Sequence, residues 1–207
     1  KYLNIINKIT KKSYYDKILE YTLNSYLESY KYNFHLMPLN HTNNVINYFV
    51  EMASGDSVYE FNSSEDYTDF ILKTKNFTKW IDTSIINMKL GIKKGLVLSE
   101  LLCKLLINQL KNINKNKSYF NKKASKKHNK LIENLLKPKI VNVINFLEKD
   151  YYKHCIKNNG ISSLPNGKAM YRHLAFTSIT RKDLSIRQIH DLGEKECKRI
   201  KQEMISI

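Results

Sequence analysis

Proline and glycine are scarce in this sequence, with three and six copies among 207 residues. Tight turns depend on them, so a fold of many short strands and hairpins is disfavoured. Cysteine is scarce too. Cys103, Cys155 and Cys197 stand far apart, are odd in number and form no Cys-x-x-Cys pair. That argues against a disulfide framework and a cysteine-based zinc site, with a reducing compartment as the default. No apolar run is long enough to cross a bilayer, and no leader pattern opens the chain. The expectation is no membrane and a cytoplasmic location. Neither His-Glu-x-x-His nor Gly-x-Ser-x-Gly occurs, so two short signatures of metal- and serine-based hydrolysis are missing. Acid is the last shortage. The chain has 19 Asp and Glu against 35 Lys and Arg, a formal charge of +16.

What is present is helical periodicity. Hydrophobic residues make up 42%, with fourteen tyrosines, which is the composition of a chain that buries a core. Tyr15, Leu19, Leu23, Tyr26, Leu27 and Tyr30 recur at helical spacing within 14–32. Pro38 breaks that pattern, and a short helix is expected near 43–53. Ser63, with Glu65 and Asp66 behind it, opens a helix that Gly91 and Gly95 punctuate at its end. Ser99 caps the next, with a core stripe of Leu102, Leu105, Leu106 and Leu110. From Leu131 the pattern resumes as far as Tyr151. Pro138 either kinks that helix or opens a new one, and Gly160 is its expected left-handed cap. Ser185 and Gln188 have capping-box spacing at the head of the last helix. Ile186, Ile189, Ile200 and Met204 form its expected buried face, with Gly193 kept small by an approaching backbone.

The reading is all-α, an irregular multi-helix array. It is a single helical domain or fragment. Its parts are an N-terminal helix over 1–37, helices over 38–110, a basic connection over 111–130, and a helix, corner and C-terminal helix over 131–207. The opening at Lys1 without Met suggests a processed product or a piece of something longer.

Residues 111–139 hold ten lysines and one acid, Glu133. Such a run attracts nucleic acid or an acidic partner. Base stacking has only Tyr119 and Phe120 to draw on, without regular interleaving. Lys, Asn, Ile and Tyr are abundant together, as in proteins from AT-rich genomes, so a solvated connection between helices is favoured over a nucleic-acid site.

Two stretches invite chemistry. His190, Glu194 and Cys197 share a helix at spacings of four and three, and their N, O and S atoms suit zinc. His190 lies beside the apolar stripe and Glu194 turns outward, so a hydrogen-bonded histidine at the core's edge is the commoner outcome. The other stretch, "NNGISSLPNGKAMY" at 158–171, is the densest cluster of turn formers. Gly160 and Gly167 are separated by six residues rather than four, and Ala169 follows Lys168, so it is no phosphate loop. It reads as a corner: a helix stop, a bend at Pro165, a turn at Asn166-Gly167 and a new helix. Rigid corners are good positions for binding groups.

The same corner carries a family likeness. A Gly-hydrophobic-x-x-Leu-Pro-Asn-Gly-Lys-x-x-Tyr run begins at Gly160 and ends at Tyr171. Leu184-Ser185, Ile189-His190, Leu192-Gly193 and Glu196 through Ile200 follow in order. This resembles the signature of a large bacterial family, domain-of-unknown-function family 885. The segments around 65–102 and 135–155 are similar as well. The resemblance implies a mostly helical protein related to zinc metallopeptidases, longer than this chain, whose zinc motif lies downstream of the matched region. It implies that this chain supplies one wall of a larger zincin-like helical fold. On that view zinc belongs to the full-length parent, the substrate is peptide-like, and the partner is the downstream catalytic half or another chain. Asn166, Lys168, Tyr171 and His190 are then the candidates for polar groups beside the cleft. Lys168 would meet a carboxylate and Tyr171 a developing oxyanion. The alternative is a non-catalytic basic helical scaffold binding RNA or an acidic protein.

Overall fold

Side chains that can satisfy the bare amides of a first helical turn set where the central helices begin. A computed structural model describes residues 2–42, 44–179, 181 and 183–206. In it Asn44 Oδ1 accepts from the Ile46 amide at 3.1 Å and starts α3 (Val45–Ser54). Asn43 lies outside the described residues. Ser63 and Asp66 form a reciprocal capping box at the head of α4 (Ser64–Lys94). Ser99 caps α5 (Glu100–Asn116) and Ser125 caps α6 (Lys126–Phe146). Each such cap contributes about 1 kcal/mol. Gly95 ends α4 at φ 69°, a left-handed conformation that a side chain would strain.

These helices form one of two compact units, Asn33–Pro165. Ile81 and Met88 of α4, Leu106 and Leu110 of α5, and Leu136 and Ile140 of α6 are fully buried. Each adds about 2 kcal/mol of hydrophobic stabilisation. Phe49 stacks on Phe77 with ring centroids 3.9 Å apart. The stripe of α5 is displaced from the expected one. Leu105 is exposed, while Cys103 and Ile107 are buried beside Leu106 and Leu110. Residues 103, 106, 107, 110 and 113 share one face, and that face turns inward.

Pro138 does not open a new helix: it lies inside α6, which runs through it. It stands on the exposed side, where water can reach the carbonyl it leaves unpaired. The expected ending near Gly160 is corrected. α6 gives way to a π-type turn at Leu147–Tyr151, a 3-10 turn at Tyr152–His154 and extended Cys155. Gly160 has φ −87° and opens a 3-10 turn at Ile161–Ser163 rather than closing a helix. The chain leaves the helix early because Ile156 pairs with the start of α5. Its amide donates to the Leu98 carbonyl at 3.1 Å, and its carbonyl accepts from Glu100 at 2.9 Å. That lone parallel bridge is the nearest thing to a strand among the described residues, and the fold is all-α.

The basic stretch is helical at both ends, and only residues 117–125 connect α5 to α6. The Asn129 side chain clamps this connection by bonding both the amide and the carbonyl of Asn121, at 2.9 and 2.8 Å. Tyr119 is 1% exposed. It is a core residue rather than a stacking platform, and burial pushes its hydroxyl up to about 12.

His128 is buried at the head of α6, its ring 4.8 Å from that of Tyr67. Neither ring nitrogen has a hydrogen-bond partner among the described residues. Burial holds its pKa below the usual 6.5. The unfolded chain therefore takes up this proton first as pH falls. The stability that rests on neutral His128 is full above about 6.5 and is lost as pH falls from there through the lower folded value. The urea midpoint is expected to drop across that window, and His128→Phe to flatten the drop.

The second unit joins Lys1–Tyr32 to Asn166–Ile207. It contains α1 (Tyr2–Ile6), α2 (Tyr14–Ser29), α7 (Gly167–Ile179) and α8 (Ile186–Ile205). The Ser185–Gln188 capping box forms as its spacing predicts. The expected buried face of α8 does not. No residue of α8 is buried, Ile200 and Met204 are exposed, and a Cβ at Gly193 would meet nothing within 4 Å among the described residues beyond its own helix backbone. Tyr15 and Tyr26 of α2 and Tyr30 just after it behave likewise and are exposed. Among the described residues no helix is long and apolar enough to cross a membrane.

Candidate functional site

α2 turns its polar side to α7. Tyr21 donates from its hydroxyl to the Phe176 carbonyl at 3.2 Å. α7 begins at Asn166, which adopts φ 58° and whose carbonyl accepts from Ala169 and Met170 at 3.1 and 3.0 Å. Asparagine tolerates that left-handed conformation better than most residues. From this start, helical spacing sets Lys168 and Arg172 one turn apart, with His173, Phe176 and Thr177 following on the side toward α2.

The two helices and Tyr32 enclose a cavity of about 620 Å³. Ser25, Glu28 and Tyr32 line one side, and Lys168, Arg172 and His173 the other. His173 is 7% exposed, with Nδ1 3.9 Å from Glu28 Oε2 and its ring 5.1 Å from that of Tyr32. The Thr177 hydroxyl donates to the His173 carbonyl at 3.0 Å, fastening the last turn of the wall. Lys168 and Arg172 have no ion-pair partner among the described residues. One wall therefore offers two cations, and the other a carboxylate and hydroxyls. An anionic group with a neutral or positive neighbour fits such a pocket.

The four residues expected from the sequence are dispersed. Lys168 lines the cavity. Asn166 acts through its backbone at the head of α7. Tyr171 is 49% exposed and is not part of the lining. His190 stands on α8 with Nε2 3.4 Å from Glu194 Oε1, both side chains more than half exposed. Cys197 is exposed on the same helix. Zinc takes three or four ligands, and no group of three His, Cys, Asp or Glu among the described residues is placed to hold a metal ion.

Glu28, Arg172 and His173 were not singled out by the sequence. Arg172 and His173 carried a signal, because they follow Lys168 at helical spacing within the corner's helix. Glu28 carried none, since its partner lies at the other end of the chain. No curated protein and no solved structure matches this sequence. The model of the family described as bacterial protein of unknown function (DUF885) matches residues 7–207, nearly the whole chain, and the chain belongs to that family.

Proposed function

We propose that this chain is the substrate-holding helical part of a DUF885 hydrolase acting on peptide-like amides, and that it performs no hydrolysis alone. The observation that carries the reading is the α2–α7 cavity, in which Lys168 and Arg172, with no ion-pair partner among the described residues, face Glu28. The carboxylate of a peptide-like ligand lies against Lys168 and Arg172, where the guanidinium can hold both oxygens. Tyr32 and Ser25 offer hydroxyls to the next polar group, and Glu28 accepts from an amide or amine. The absence of His-Glu-x-x-His from these 207 residues supports assigning the bond-breaking groups to protein outside them. The test is a heteronuclear NMR titration of the full chain with an N-acetyl dipeptide. Shifts confined to residues 25–32 and 168–177 are expected. Shifts centred on His190 and Glu194, or none at saturation, refute the reading.

A second reading draws on the uncovered apolar faces. Leu192, Ile200, Met204 and Ile205 are all exposed on α8, and a non-catalytic scaffold would keep such a face for a protein partner. RNA is the weaker partner, because burial of Tyr119 leaves Phe120 as the exposed ring of its basic stretch.

A further inference from the structure

Cys103 and Cys155 are remote in sequence and adjacent in space. The bridge between Ser99 and Ile156 holds the segment after α6 against the first turn of α5. Cys103 donates its amide to the Ser99 carbonyl at 2.9 Å, one turn into that helix. Cys155 precedes Ile156, with its Sγ 3.9 Å from the Tyr151 carbonyl oxygen. Cys103 belongs to the hydrophobic core, and Cys155 packs against that same core. Cys103 is fully buried and Cys155 partly exposed, while Cys197 is exposed on α8.

We propose that Cys103 and Cys155 form a dithiol that closes to an intramolecular disulfide when the surrounding thiol–disulfide balance turns oxidising. The oxidant is a small dialkyl disulfide of the glutathione type. The Cys155 thiolate attacks one sulfur of that disulfide and breaks its S–S bond. One thiolate leaves and takes up a proton, and a mixed disulfide remains on Cys155. The Cys103 thiolate then attacks Cys155 Sγ and expels the second small thiolate, which is protonated in turn. Two protein thiols are oxidised, and one external disulfide is reduced to two thiols. Access makes Cys155 the entry point, because Cys103 has no surface. The first step is bimolecular and the second is intramolecular, between side chains that the Ser99–Ile156 bridge already holds close, so the mixed disulfide does not accumulate.

The test incubates the full chain in graded mixtures of oxidised and reduced glutathione. Alkylation and peptide mass mapping then follow each cysteine. Cys103 and Cys155 are expected to lose alkylation together and to appear as one cross-linked peptide, with Cys197 outside it. The thermal midpoint of the oxidised chain is expected to rise by on the order of 10 °C. In Cys103→Ser the glutathione adduct on Cys155 should accumulate. Should that buried change prevent folding, Cys155→Ser serves, and Cys103 then stays reduced at every mixture. A wild-type adduct on Cys155 with Cys103 still reduced, or a bond from Cys197 to either, overturns the proposal.

Discussion

Gly91→Ala is expected to destabilise the central unit by about 3 kcal/mol, while the same change at Gly193 stabilises its helix by about 1 kcal/mol. Both glycines are inside α-helices, where alanine is the better helix former, so propensity alone gives both the same sign. Surroundings separate them. A Cβ on Gly91 would lie 2.7 Å from the Leu36 carbonyl oxygen and 2.7 Å from that of Leu96. Both are backbone atoms. Leu36 is buried, and Leu96 follows the left-handed Gly95 that ends α4. Neither can yield without moving a chain segment through a packed core. At Gly193 a methyl meets nothing within 4 Å among the described residues beyond its own helix backbone, so only the propensity gain remains. Urea unfolding of the two variants checks this. A neutral Gly91→Ala would mean that the close approach of 36 to α4 is wrong.

Removing both pocket cations, as Lys168→Met with Arg172→Met, is expected to weaken carboxylate binding about a hundredfold, roughly tenfold for each charge-assisted contact. The fold should not notice. Both side chains are exposed and have no ion-pair partner among the described residues, so the stability is expected to stay within about 0.5 kcal/mol of wild type. Glu28→Gln should act in the opposite direction, because it removes a like charge from the facing wall. Arg172→Lys keeps the charge and loses the fork, so it should recover only part of the affinity. Titration calorimetry of the three variants with one carboxylate ligand reads all of these. Equal affinities across the set would mean that the cavity does not hold an anion.

Local signals carried much of the fold. Ser63, Ser99 and Ser185 cap the helices that their spacing predicts, because capping is settled within four residues. Leu106, Leu110, Ile140 and Val143 are buried as their period requires. The failures share a cause. Periodicity reports that a helix has an apolar face, not that anything covers it. Ile200 and Met204 were expected inside and lie outside. On α2, Tyr15 and Tyr26 point to solvent because the opposite, polar side builds the cavity wall. The helix ending expected at Gly160 failed because Ile156 is drawn to Leu98 and Glu100, a pairing with no local signature. The same bridge brings together two cysteines that sequence distance had set apart. Of the site, Lys168 was legible from the corner's motif, and Glu28 was legible from nothing short of the fold.

The central claim is a carboxylate pocket between α2 and α7 in which Lys168 and Arg172 hold the anion. The most direct measurement is calorimetric titration of an N-acetyl dipeptide and its C-terminal amide into the full chain, with and without a strong chelator. The account predicts that the acid binds at least tenfold more tightly than the amide, to the same extent in both buffers. Equal binding of acid and amide, or binding that disappears with chelator, would contradict it.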